Sequence, residues 1–296
     1  MTTSPSSRTY ETEDGEPPES PLPASPSAAA AIRTPTVVAA GPAVFGVGAD
    51  RVDLWLVHRP DGAVADSLAR TELDARERTR ADAFVRRSDG LLYTAAHVAL
   101  RRLIGCYTAT RPEEVRFTRE PCPTCGEAHG RPAVAPTPPP LHFSLSHSGD
   151  LALVGVAARP VGVDVEKLPG AETVDLCSRA LHPDERAELA AVPAGEERAR
   201  LFARIWTRKE AYLKGLGTGL RRSPAEDYLG ADAARHPAGW TVLDTPCDAG
   251  HAASTAVYGA APAVARVRRV PGAWLLAEPP ADGAAVRTGP HGGPPP

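Results

Sequence analysis

Long apolar runs, an excess of basic residues and an even set of cysteines are all missing from this chain of 296 residues. Gly, Arg or Pro interrupts the densest apolar stretches within about ten residues, so none approaches the roughly 20 residues of a membrane helix. The N-terminus lacks the basic start and apolar core of a secretory signal. The formal net charge of −3 argues against a general nucleic-acid binder, whose surface would be basic. The sequence therefore predicts no membrane segment and no nucleic-acid partner.

The cysteines are odd in number and scattered along the chain, which fits reduced thiols better than a disulfide framework. They are Cys106, Cys122, Cys125, Cys177 and Cys247. Together with the missing secretory signal, this predicts a cytoplasmic protein.

Both ends of the chain have the composition of disordered segments. Ser, Pro, Glu and Ala dominate the beginning, and Pro, Gly and Ala dominate the end. Such segments bury too little apolar surface to offset the entropy of ordering them. We expect disordered tails at 1–48 and 279–296, with two α+β halves at 49–158 and 159–278 between them.

The apolar patterns between the tails predict helices followed by strands, twice over, which is typical of an α+β protein with two similar halves. The expected helices lie within 72–88, 91–104, 172–190 and 196–214. The expected strands are 52–57, 115–118, 141–147, 151–157, 161–166, 240–242, 263–267 and 274–276. Tight joints between 141–147, 151–157 and 161–166 predict a meander.

The segment 161–167, VGVDVEK, places two carboxylates on one face of a strand. The three valines at 161, 163 and 165 share the other face, because successive strand side chains point to opposite sides. Asp164 and Glu166, beside Gly162, would form a recess lined by hard oxygen ligands, which suits Mg²⁺. An exposed polar face on an edge strand is the alternative.

A helix over 196–214 carries a second charged set. Trp206, Glu210 and Lys214 follow one another at i, i+4 spacing and therefore share a face. A salt-bridged surface helix would explain Glu210 and Lys214, but the large ring of Trp206 implies burial. The hypothesis is that a Glu and a Lys held at the edge of a buried face would have shifted pKa values, as acid/base groups do.

The segment 143–149, FSLSHSG, places hydroxyls and an imidazole at the end of a strand. We expect Ser144, Ser146 and His147 to be free for a ligand, and such groups suit phosphate oxygens. A hydrolase triad is disfavoured because the Gly-x-Ser-x-Gly elbow is missing at these residues.

In this order, the stretches 146–148, 161–166 and 206–214 resemble the motifs of the broad-specificity (Sfp-type) 4′-phosphopantetheinyl transferases. The resemblance extends more loosely from about residue 50 to residue 278. It implies a pseudo-dimer of two α+β halves with coenzyme A in the cleft between them. It also implies transfer of phosphopantetheine to a serine of an acyl or peptidyl carrier protein, with release of 3′,5′-ADP, in secondary metabolite biosynthesis. A fused pseudo-dimer completes its own site, so we expect a monomer.

The resemblance also assigns roles to individual residues. Asp164, Glu166 and Glu210 would hold Mg²⁺ against the pyrophosphate of coenzyme A, and Glu210 is the candidate general base. Lys214 would neutralise phosphate charge and assist proton transfer.

The remaining assignments concern the phosphates of coenzyme A, including the 3′-phosphate. Ser146, His147, Arg131 and Arg80 would contact them. Glu77 and Leu92 stand where further cations are expected. Arg86 and Arg87 would compensate.

Cys122, Cys125 and His129 form a C-x₂-C pair followed by a histidine. Structural Zn²⁺ takes four ligands and this segment offers three; Cys106 or Cys177 could complete the set only if the fold brings one of them close. The alternative is a proline-stiffened loop with two reduced thiols.

Three other functions compete with the transferase. They are a non-catalytic module that binds coenzyme A or a carrier protein, a zinc-ribbon adaptor and a two-metal nuclease. The intact acidic set argues against the first, the adaptor leaves most of the chain without a role, and the nuclease would be more basic.

Overall fold

The computed structural model describes residues 33–37, 45–134, 140–219 and 222–277, which form a mixed α+β fold. The helices are α1 (Gly62–Asp66), α2 (Ala75–Asp82), α3 (Arg87–Thr108), α4 (Ala171–Cys177), α5 (Pro183–Ala190) and α6 (Glu196–Leu216). The strands are β1 (Arg33–Val37), β2 (Arg51–His58), β3 (Phe117–Arg119), β4 (Pro132–Val134), β5 (His142–Ser148), β6 (Leu151–Ala157), β7 (Val161–Lys167), β8 (Trp240–Asp244), β9 (His251–Tyr258) and β10 (Val264–Arg269). In these ranges no helix combines the length and the apolar character needed to cross a membrane.

The strands form two sheets, of seven strands in the order β1-β10-β2-β6-β5-β4-β3 and of three in the order β7-β9-β8. The expected meander is only half right. β5 and β6 pair as a hairpin, but β7 leaves for the smaller sheet and pairs with β9. The loop before β7 therefore carries the chain from one sheet to the other.

The two sheets and their helices stack in layers. α3 packs on one face of the larger sheet, where Trp55 and Val57 of β2 are buried. The other face of that sheet meets the smaller sheet, and β7 contributes its three valines to this core. α6 covers the far face of the smaller sheet. The prediction that the valines of β7 face a core is confirmed.

The structure departs from the expected boundaries at both ends. β10 pairs with β2, and Val270 and Leu275 pack in the core of the first half, although 159–278 was assigned to the second. Residues 274–276 were expected as a strand, but Gly272–Leu275 is a 3₁₀ turn. Within the predicted tail 1–48, Arg33–Val37 is a strand and Phe45 packs against Trp55. The rest of that tail before residue 45, and the predicted tail 279–296, lie outside the described residues.

Gly162 lies where the backbones of β7 and α6 approach each other closely. A Cβ atom at this position would overlap the carbonyl oxygen of Ala211 and the backbone nitrogen of Gly215. The recess expected beside the carboxylates is therefore filled by the helix backbone. This close approach brings the carboxylate face of β7 against the face of α6 that carries Glu210 and Lys214.

We expect Gly162→Ala to destabilise the protein by roughly 1–3 kcal/mol, as overpacking of a tight interior does, because backbone atoms cannot move aside as a side chain can. Urea unfolding followed by circular dichroism measures this loss. Gly46→Ala is the matched control, since nothing lies within 4 Å of its added Cβ. Equal stability of the two variants would contradict the close contact.

Candidate active site

The serines of β5 cover the free edge of β7. The backbone N–H of Val163 donates to Ser144 Oγ at 3.1 Å, and that of Lys167 donates to Ser148 Oγ at 3.2 Å. The Val163 N–H is buried and would otherwise lack a partner, whereas Lys167 is exposed at the end of the strand. Ser144 and Ser146 are each 6% exposed, so the expectation that they are free for a ligand is wrong.

Asp164 lies at the centre of this contact and is 1% exposed. Its Oδ1 accepts from Ser146 Oγ at 2.7 Å and from Lys214 Nζ at 2.5 Å, and Lys214 also donates to Ser146 at 2.9 Å. The other oxygen, Oδ2, is buried and has no hydrogen-bond partner among the described residues. β5, β7 and α6 thus each supply one member of a polar triad, in which Ser146 and Asp164 are buried and Lys214 is partly exposed.

Glu166 and Glu210 extend the acidic set on either side of Asp164. Ser148 Oγ donates to Glu166 at 2.6 Å. Burial raises the pKa of Glu166, and the nearby charge of Asp164 adds to this. Burial and the charge of Asp164 also raise the pKa of Glu210. Both carboxylates therefore lie where a negative charge is poorly compensated.

These residues fit a divalent cation by chemistry and charge. Three carboxylates beside one ammonium group leave two uncompensated negative charges, and the unpartnered Asp164 oxygen is a hard donor of the kind that Mg²⁺ prefers. Their oxygens do not all lie within 4.8 Å of one another in the described chain. Shared ligation would therefore require the glutamate side chains to turn towards Asp164.

His147 lies at the exposed end of β5, near Tyr93 and His97 of α3. The Tyr93 ring stacks on His97 at 4.0 Å and meets the His147 ring edge-on at 6.1 Å. Partial desolvation of the imidazole by its neighbours, and the nearby charges of His97 and Lys214, lower the pKa of His147. Sequence reasoning missed Tyr93 and His97, although their i, i+4 spacing places them on one helical face.

Arg80 lies away from the carboxylates, at a cavity of about 330 Å³ between α2 and α3. The cavity is lined by Arg80, Ala83, Phe84, Val85, Arg86 and Asp89. Phe84 packs against Tyr93 at 5.4 Å, so an aromatic path connects this cavity with His147. Of the two arginines expected to compensate, Arg86 lines the cavity, whereas Arg87 forms an ion pair with Asp66.

Glu77 and Leu92, which stand where cations were expected, have structural roles. Leu92 is buried in the core. Glu77 accepts from Arg101, a 1% exposed arginine, and from the His97 ring. This network joins α2 to α3 and so positions Arg80 at the cavity.

Arg131 follows the cysteine loop and contacts the end of α6. Its Nε and Nη2 donate to Glu120 at 2.9 and 2.5 Å, and its Nη1 donates to the carbonyl of Gly215 at 2.8 Å. Gly215 directly follows Lys214. The guanidinium is thus held at the C-terminal end of α6, and its three nitrogens already have protein partners.

The sequence matches known proteins over the same region. The 4′-phosphopantetheinyl transferase superfamily matches residues 160–255, which include β7 and α6. The chain is 32% identical over 222 residues to the 4′-phosphopantetheinyl transferase HetI of Nostoc sp., covering 71% of this chain and 89% of that protein. It is 24% identical to the 4′-phosphopantetheinyl transferase Sfp of Bacillus subtilis, over 50% of this chain and 62% of that protein. Because similarity to HetI spans nearly the whole of that relative, the chain belongs to the 4′-phosphopantetheinyl transferase superfamily.

Proposed function

We propose that this protein transfers the 4′-phosphopantetheine group of coenzyme A to a serine of an acyl or peptidyl carrier protein. The observation that carries the proposal is the contact of buried Asp164 with Ser146 and Lys214, in which one carboxylate oxygen has no partner among the described residues. Asp164 and Lys214 lie inside the matched family region. The carrier serine oxygen forms a bond to the pyrophosphate phosphorus next to the pantetheine. The phosphorus–oxygen bond to the leaving group breaks, and 3′,5′-ADP departs.

Such transfers depend on position and charge neutralisation rather than on covalent help from the protein. Asp164, Glu166 and Glu210 would hold Mg²⁺, which supplies positive charge to the pyrophosphate. Lys214 is 33% exposed in its side chain, so its ammonium group can reach a bound phosphate while Asp164 positions it.

Glu210 is the proposed general base. A carboxylate within hydrogen-bond reach of the serine hydroxyl can take its proton as the oxygen attacks phosphorus. It accepts the proton of the carrier serine directly or through one water molecule. Its position on the same face of α6 as Lys214 places the base and the cation on one side of the reacting phosphate.

The phosphates at the far end of coenzyme A need their own cations. We propose that Arg80 and Arg86 at the cavity, with His147 at the end of the aromatic path, contact this part of the molecule. Ser146 contributes indirectly, because it is buried and positions Lys214 and Asp164.

Arg131 is proposed to contact the 3′-phosphate, which requires at least one nitrogen to leave Glu120 or Gly215. We then expect Arg131→Ala to weaken the binding of coenzyme A more than that of 3′-dephospho-coenzyme A. The difference should be roughly the 1.5–3 kcal/mol of a charge-assisted hydrogen bond. Calorimetric titration of both ligands measures the difference. Arg119→Ala, on the same hairpin, is the control. Equal losses for both ligands would restrict Arg131 to fixing the end of α6.

The finer family features are also proposals. We propose a monomer whose halves are related as in a pseudo-dimer, since each half is a sheet covered by a long helix. We also propose the broad carrier specificity of Sfp-type enzymes. All five cysteines are free thiols, which supports a reducing cytoplasmic location. A role in secondary metabolite biosynthesis would follow from polyketide and peptide synthase carriers as substrates.

Incubation with coenzyme A, Mg²⁺ and several apo carrier proteins, followed by mass spectrometry of the carriers, tests the proposal. A mass gain of one phosphopantetheine on fatty-acid, polyketide and peptide carriers would support broad specificity. Coenzyme A binding with no modified carrier would favour the binding module instead. The family membership makes that alternative the less favoured one.

A further inference from the structure

The loop between β3 and β4 has the backbone form of a metal-binding knuckle. The hairpin ladder continues past the strands, since Glu120 N–H donates to the Arg131 carbonyl and Gly130 N–H donates to the Glu120 carbonyl. At the tip, the Gly126 N–H donates to the Cys122 carbonyl at 2.8 Å, and Gly126 has φ +76°. Glycine tolerates this left-handed conformation, which returns the chain directly after the second cysteine.

Two thiol sulfurs and one imidazole nitrogen converge inside this loop. Those of Cys122, Cys125 and His129 all lie within 4.8 Å of one another, and Cys125 Sγ is 3.0 Å from His129 Nε2. In the described ranges this is the one group of three or more cysteine, histidine or acidic side chains that is this compact. Thiolate and imidazole are the ligands that Zn²⁺ prefers.

The first of these cysteines is held inside the loop. Cys122 is 2% exposed, and the backbone N–H groups of Thr124 and Cys125 point at its sulfur. The thiolate is the form of cysteine that binds a metal. The side chains of Cys125 and His129 are exposed, so an ion can enter from solvent.

We propose that Cys122, Cys125 and His129 bind one Zn²⁺ at the tip of the β3–β4 hairpin, with water as the fourth ligand. The fold does not bring Cys106 or Cys177 into the cluster, so neither completes the set. The ion closes the loop whose base holds Glu120 and Arg131, and through Gly215 it helps to fix the end of α6. The site is separate from the carboxylates and needs no coenzyme A.

The test uses Co²⁺ and Zn²⁺ as probes on the reduced, metal-free full chain. Titration with Co²⁺ should give the near-ultraviolet absorption of thiolate–cobalt bonds, saturating at about one ion per chain, and Zn²⁺ should displace it. Cys125→Ser and His129→Asn should each lower the affinity for the metal ion by more than the roughly 10–100-fold typical of losing an outer-shell partner. Cys177→Ser is the matched control and should bind as the wild type does, because its thiol lies outside the cluster.

Wild-type protein without thiolate–cobalt absorption would overturn the site, as would Cys125→Ser with undiminished affinity. Loss of binding in Cys177→Ser would assign the metal to other thiols. Unchanged affinity in His129→Asn would remove the histidine from the proposed set. These readouts do not involve phosphopantetheine transfer, so failure of the zinc site and failure of the proposed enzyme are distinguishable.

Discussion

Glu210→Gln is expected to reduce phosphopantetheine transfer by at least the roughly 10²-fold typical of losing a general base, while coenzyme A binding falls less. The amide keeps the shape of the side chain but loses its charge and its basicity. In the metal-free chain, burial and the charge of Asp164 raise the pKa of Glu210. Transfer rates to an apo carrier protein and calorimetric titration of coenzyme A, each with and without Mg²⁺, separate the two effects.

Asp164→Ala should give a different pattern from Glu210→Gln. It removes the acceptor of both Ser146 and Lys214 as well as the unpartnered oxygen, so Mg²⁺-dependent coenzyme A binding and transfer should fall together. Glu196→Gln is the matched control for Glu210→Gln, because Glu196 lies in the first turn of α6 and its one ion pair among the described residues is with exposed Arg200. Wild-type transfer in the Asp164 and Glu210 variants, or coenzyme A binding indifferent to Mg²⁺, would contradict the metal-assisted mechanism.

The alternation of β7 was sufficient to predict which side chains face the core. Val163 and its neighbours are buried between the sheets, as their period of two requires. What fills the opposite face depends on the packing of a helix that starts some 30 residues later. Gly162 therefore suggested a ligand recess in the sequence, although it marks a backbone contact with α6.

The serines of β5 show the same limit. Their alternation is visible in the sequence, but the strand edge that they cover belongs to another sheet. β9 was missed altogether, because its small residues are buried over most of its length and give no apolar–polar alternation. The charged motif of α6, in contrast, was predicted on the correct element, since i, i+4 spacing fixes a helical face locally.

Lys209 shows that adjacent residues of one motif can have different roles. It precedes Glu210 in the sequence but is 2% exposed on another side of α6, where its ammonium group forms an ion pair with Glu185 of α5 at 2.8 Å. It also donates to the carbonyls of Pro224 and Asp227 at 2.7 and 2.6 Å. Glu185 is fully buried and accepts backbone N–H bonds from His182 and Leu229. Lys209 therefore ties α5 and the segment after α6 to the helix that carries the site.

We expect Lys209→Met to destabilise the protein by about 3–5 kcal/mol, because it leaves the Glu185 carboxylate buried without its counter-charge. Arg200→Met is the matched control on the same helix. It breaks the exposed ion pair with Glu196, and such pairs contribute about 0–1 kcal/mol. Urea unfolding at neutral pH gives the free energies of unfolding of the wild type, Lys209→Met and Arg200→Met. They can be compared when the slope of the free energy against urea concentration is the same for all three.

The double variant Lys209→Met/Glu185→Gln separates the unpaired charge from lost packing. Removing the second charge should recover part of the stability, so the double variant should lose less than the sum of the two single losses. Additive losses would mean that the two side chains contribute through packing and backbone hydrogen bonds alone. A loss for Lys209→Met no larger than that for Arg200→Met would show that the pair does not hold α5 against α6.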